Sequence, residues 1–169
     1  MRNLQTLAKC GCTAALALFI LAGTARATEL PKTQQYVVIG WNDLGMHCMG
    51  SDFSAITILP PANFLWAQVV KRGAPPQLVQ TGVTLDYDFP YNTTSANKVN
   101  FWQYAPQMFA SPPAANIGIT GNGMSGQLTW NDHAFEATAV PLTPYEDAAP
   151  TVEQPYQIAR VTLRRTSDQ

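Results

Sequence analysis

Met46-His47-Cys48-Met49 places four metal-ligand residue types in a row. Thiolate and thioether donors suit Cu(I), and imidazole suits copper, zinc or iron. The chain has only two histidines, His47 and His133, and the first adjoins this cysteine. That pairing points to a soft-metal site, with copper the first choice of ion. Backbone geometry limits the run, however. In an extended chain Met46 and Cys48 project one way while His47 and Met49 project the other. In a helical turn Met46 and Met49 share a face that excludes His47. One ion cannot draw on all four, and His133 is the obvious lender. The predicted metal residues are Cys48, His47, His133, Met46 and Met49, with Cys48, His133 and one of the others meeting at the ion.

Two other chemistries use the same residues. Cys48 with His133 as base and Asp43, Asp132 or Asn131 as orienter would satisfy the logic of a thiol hydrolase. Against it, Gly45 to Gly50 is one residue longer than a Gly-x-Cys-x-Gly elbow and lacks its strand-turn-helix setting. The third class is a non-catalytic interaction or structural module. Trp41, Trp66, Trp102 and Trp130, with six tyrosines, would then line a carbohydrate or protein face or simply fill a core. No Cys-x-x-Cys-His for covalent haem, no Cys-x-x-Cys pair for zinc and no His-Glu-x-x-His is present.

The start of the chain reads as a secretory signal peptide over residues 1–27. Arg2 and Lys9 precede an apolar run from Thr13 to Ala22, and Ala25-Arg26-Ala27 supplies the small residues a signal peptidase reads. The run is about half the ~20 residues a membrane helix needs, so no membrane span is expected after processing. Residues 28–169 then form one domain, periplasmic or extracellular. Cys10 and Cys12 leave with the signal, so Cys48 is left without an intrachain disulfide partner. A partner in another envelope protein, a metal or burial would each account for it. The processed chain keeps 7 of the 10 basic residues and all 11 acidic ones, a formal charge of −4. No basic cluster offers a footprint for nucleic acid.

The elements that must position these residues are short strands. All 13 prolines follow the signal and leave few helical windows. Gln35 to Trp41 is apolar on both faces and reads as a buried central strand. Ala55 to Leu59 reads as a strand stopped by Pro60-Pro61. Leu65 to Lys71 and Gln77 to Phe89 read as a hairpin around Gly73 to Pro76, with a short helix over Asn63 to Val70 as the alternative. Phe101 to Phe109, broken by Pro106, reads as an edge strand or packed loop. Gln127 to Trp130 and His133 to Val140 form a hairpin turning on Asn131-Asp132, which would set His133 on a core-directed face beside Trp130. Tyr156 to Arg164 closes the chain, with Ala159, Val161 and Leu163 on one face. Asp86, Asp88, Asn92 and Asn97 read as solvated strand faces and turns. About seven to eight strands at this spacing predict a single-domain all-β fold, a β-sandwich or partly open barrel.

Asn42-Asp43-Leu44-Gly45-Met46-His47-Cys48, followed by Asp52-Phe53-Ser54 and Leu59-Pro60-Pro61, resembles a group of uncharacterised exported bacterial proteins. Val140 to Pro144 with Asp147 and Pro155-Tyr156 is similar to it as well. The group is associated with bacteria rich in multihaem cytochromes. The resemblance implies a bacterial envelope or extracellular setting and carries no activity with it. Together these features lead to the expectation of an exported β protein with a copper or redox site in the Met-His-Cys-Met loop.

Overall fold

A computed structural model of the chain describes residues 34–43, 49–55 and 59–168. The signal segment, residues 56–58 of the strand expected over Ala55 to Leu59, and Met46, His47 and Cys48 lie outside the described residues. Among the described residues, nine strands and one α-helix follow in the order β1 (Tyr36–Asn42), β2 (Asn63–Lys71), β3 (Gln77–Val79), β4 (Val83–Asp88), α1 (Phe101–Met108), β5 (Ser125–Asn131), β6 (Ala134–Val140), β7 (Tyr145–Glu146), β8 (Ala149–Glu153) and β9 (Arg160–Arg165). The main sheet runs β1-β2-β6-β5-β4-β9, all antiparallel, with β3 added to β2; β7 and β8 pair separately. Its end strands, β1 and β9, approach each other without a ladder between them. The fold is therefore all-β, a sheet curled nearly into a barrel with one open seam.

Period-two alternation builds this sheet. Leu65, Ala67 and Val69 of β2 and Val83, Leu85 and Tyr87 of β4 point inward. They pack with Phe89, Leu128, Phe135, Ala137, Val140 and Leu142 in one core. The outward Asp86 and Asp88 pair with Arg164 and Arg160 of β9 at 2.8 and 2.9 Å. Tyr87 donates its hydroxyl to Gly123 C=O at 2.9 Å, and burial pushes its pKa up to about 12. On β9, Val161 and Leu163 face the core as expected.

Several local expectations shift. The strand beginning near Gln35 lies at the edge of the sheet, not its centre, and Ile39 and Trp41 are exposed. It is apolar on both faces because its outward side carries a tryptophan stack, Trp41 on Trp66 with ring centroids 6.4 Å apart. Asn63 to Val70 is strand, paired on both sides by β1 and β6. The hairpin over Gly73 to Pro76 forms, but its second arm breaks at Gly82, whose φ of 76° favours glycine, and β4 departs to another part of the sheet. Phe101 to Met108 is a helix although it contains Pro106. Phe101 and Ala105, one turn apart, are both fully buried there, and that packing outweighs the missing amide. Asn92 is wholly buried rather than solvated.

The β5–β6 hairpin turns one residue later than expected. Trp130 pairs with Phe135 and Asn131 with Ala134, so Asp132 and His133 are the turn. Asp132 takes the left-handed conformation, φ 44°, which a short polar side chain tolerates. That one-residue slip removes His133 from the core-directed face and leaves it exposed.

Candidate functional site

The open seam holds a cleft of about 670 Å³. Its walls come from Val38 and Gly40 to Asn42 of β1, Asn63 to Leu65 of β2, Phe89, Leu142, and Pro155 to Gln157 with Ala159 and Val161. In the antiparallel register these are the C-terminal end of β1, the N-terminal end of β2, the residues just beyond β4 and β6, and the entry to β9. All lie at one end of the sheet. Cavities of a few hundred to a thousand Å³ are the size that holds small ligands.

Ladder parity determines which backbone groups face the seam. Hydrogen-bonded and non-bonded pairs alternate along an antiparallel ladder. One step beyond the Tyr36–Lys71 pair, the Arg72 N–H donates to Gln35 C=O at 2.8 Å. The odd-numbered residues of β1 therefore bond to β2, and the even-numbered ones, Val38 and Gly40 among them, direct N–H and C=O toward the seam. Across it, the Thr166 N–H donates to Gly82 C=O at 3.1 Å, one step beyond the Val83–Arg165 pair. The same alternation directs the peptide groups of Val161 and Leu163 toward the seam.

Among the described residues that line it, none carries a charge at neutral pH. Polar character comes from three carboxamides, Asn42, Asn63 and Gln157, and apolar surface from Trp41, Phe64, Phe89 and Tyr156 among others. Asn42 Nδ2 lies 3.4 Å from Asn63 Oδ1, and Asn63 is buried. Tyr156 stands at the mouth with 87% of its surface exposed, Trp41 with 40%. Gly40 sits in the wall; a Cβ built on it would meet only Trp66 O, at 3.6 Å. A glycine inside a strand often marks a close approach of ligand or backbone.

A buried polar network holds the Pro155–Ala159 wall in place. Asn92 Nδ2 donates to Thr143 C=O at 2.7 Å and to Gln157 Oε1 at 3.0 Å. Lys98 Nζ donates to Asn92 Oδ1 at 2.7 Å and pairs with Asp147 Oδ1 at 2.6 Å. Asp147 also accepts from the Thr93 N–H and hydroxyl at 2.9 and 2.7 Å. Desolvation pushes the Asp147 carboxyl up, but the bonds from Lys98 and Thr93 prevail and hold its pKa at about 2.

Two of the five residues expected at a metal are described. Met49 is half-buried against the cluster of Phe53, Val99, Phe101 and Ala105, which Tyr145 of β7 also joins. His133 is in the turn that begins β6, with its carbonyl accepting from Gln68 Nε2 at 2.8 Å. Among the described residues no group of three or more His, Cys, Asp or Glu is placed to hold a metal ion. No described helix is long and apolar enough to cross a membrane.

Comparison with family models, curated proteins and solved structures finds no match to this chain. The cleft residues Gly40, Asn63, Gln157 and Ala159 were not legible as a site in the sequence. One signal did exist: Tyr36–Asn42 is a strand of seven residues without a charge or proline and with a glycine near its middle. Strand edges are normally protected by charges, prolines or bulges, so such a strand is unusual once it is known to be an edge.

Proposed function

We propose that this protein is a non-catalytic binding module of the bacterial envelope or extracellular space that takes a neutral ligand in its seam cleft. The observation that carries this reading is the described cleft lining: aromatic and aliphatic walls and three carboxamides, with no charged group among those residues. A charged ligand would enter without a partner, at a cost that buried charge makes large. A neutral ligand with an apolar side and hydrogen-bonding groups meets no such cost. The test is a screen of neutral amphipathic fragments by amide NMR shifts. Hits are expected to move Val38, Gly40, Asn63 and Val161 together, and to lose that effect in Gly40→Leu, which fills the cleft. A screen in which no fragment perturbs those positions would end this reading.

A soft-metal role for the Met-His-Cys-Met run is the second reading. Its support is positional: β1 delivers the chain into that run directly from the cleft-lining Trp41 and Asn42. Its donors would be Cys48 with His133 or His47 and one of Met46 and Met49, since one ion cannot draw on the whole run. Copper uptake by wild type and Cys48→Ala under reducing conditions tests it, equal affinity being the result that rejects it.

A further inference from the structure

We propose that the occupant of the seam cleft is an extended, uncharged segment of polypeptide that adds to the sheet as a strand alongside β1. This rests on the ligand-cleft reading above and names its ligand class. Three observations converge on a peptide rather than another neutral molecule.

The first is periodic. Val38 and Gly40 present successive N–H and C=O pairs toward the seam, two residues apart on a strand whose other edge is already paired to β2. Their spacing, about 7 Å, is the repeat with which an added strand offers its own donor and acceptor. A small ligand can satisfy one such pair; a strand satisfies the series. The second is steric. Gly40 leaves the cleft wall without a side chain at the centre of that edge, so another backbone can approach closely. The third is electrostatic. Neither β1 nor any described residue of the cleft lining carries a charge, so the matching segment is uncharged on its cleft-facing side. Trp41 and Tyr156 at the mouth supply exposed aromatic surface of the kind that anchors peptide partners. Strand addition of this sort takes affinity from main-chain bonds and selectivity from alternate side-chain positions.

The experiment uses the protein expressed with its own N-terminal segment and purified, panned with a random library of end-capped heptapeptides. Enriched peptides are resynthesised with single N-methyl groups at successive positions, and affinities are measured by calorimetry against wild type, Gly40→Leu and Ala159→Leu. The two variants plug the cleft from opposite walls, and near-UV circular dichroism identifies whichever keeps the fold. Expected are uncharged sequences rich in Val, Ile and Thr. N-methylation at alternate residues should cost about tenfold or more per site, the scale of one lost hydrogen bond, with little effect at the residues between. Plugged variants should lose binding, while Ile119→Ala, outside the cleft, should keep it. N-methylation without alternation, or peptides that bind plugged and wild-type protein equally, overturns the proposal. Chitohexaose and maltohexaose are run as neutral glycan probes. If a glycan binds wild type but not the plugged variants and no peptide enriches, the peptide assignment fails while the ligand cleft stands. If neither probe distinguishes wild type from the plugged variants and the fragment screen is also blank, both fail.

Discussion

Lys98 and Asp147 form a 2.6 Å ion pair in which the lysine side chain is wholly buried and the carboxylate is 37% exposed. The pair is asymmetric in consequence. Asp147 can be rescued by water, whereas Lys98 depends on Asp147 and Asn92 for its bonds. Asn92 in turn grips Gln157 in the cleft wall.

Replacing Lys98 tests that chain of contacts. Lys98→Met removes the donor to Asn92 Oδ1 and leaves Asp147 to Thr93 and solvent. Removing one partner of a fully buried pair costs about 3–5 kcal/mol. Because Asp147 retains water, a loss near 2–3 kcal/mol is expected in urea denaturation. Amide exchange should speed up at Gln157 and Ile158 before it does in β4. Uniform loosening of both regions would show that the network does not specifically hold the cleft wall.

Acid stability follows from the same carboxylate. The folded pKa of Asp147 is about 2, below the ordinary 3.8. Its contribution is therefore complete above the ordinary value and disappears as pH falls toward 2. Wild type should lose unfolding free energy over that window, and Asp147→Asn should flatten part of the slope. Some slope will remain, because bonds from Asn100 and Ser54 hold Asp52 low and Arg164 holds Asp86 low. An unchanged acid profile in Asp147→Asn would contradict the assignment.

Gly118 is a packing requirement. An added Cβ would lie 1.9 Å from Ala139 O, at a point of β6 where Ala139 itself has φ 47°. Two residues of β6 are accommodated there between the Asn63–Val140 and Leu65–Ala137 pairs, so the carbonyl has little room to retreat. Gly118→Ala should destabilise by about 2–3 kcal/mol, the upper part of the range for overpacking. A denaturation midpoint equal to wild type would show that the bulge yields.

His133 links the hairpin to the metal question. It is exposed in its turn, so His133→Ala should change stability by less than about 0.5 kcal/mol. If copper binds the Met-His-Cys-Met run, affinity should be lost in Cys48→Ala. A tenfold or larger drop in His133→Ala would assign His133 as a ligand, and unaltered affinity would leave that place to His47.

Alternation made the inward faces of β4 and β9 readable from sequence, since a period of two is a property of adjacent residues alone. The same signal misplaced β1. Apolar residues on both faces describe a central strand equally as well as an edge strand whose outer face stacks Trp41 on Trp66. The β5–β6 turn was misread by one residue because Asn131-Asp132 and Asp132-His133 both offer a residue that tolerates left-handed φ. Cross-strand packing of Trp130 on Phe135, with ring centroids 5.2 Å apart, accompanies the observed register. In α1, burial of Phe101 and Ala105 overrode the warning given by Pro106.

By itself the sequence determined the all-β class, the alternation that builds the core, and the presence of a Met-His-Cys-Met run just after a strand. Only tertiary structure decided that this strand is an edge, that His133 lies exposed in a turn, and that Asn92, Lys98 and Asp147 meet. The reason is the range of the interactions. Side-chain periodicity and turn preferences act over a few residues. Strand order depends on ladders between residues tens of positions apart, and the seam on the approach of β1 and β9 from far ends of the sequence.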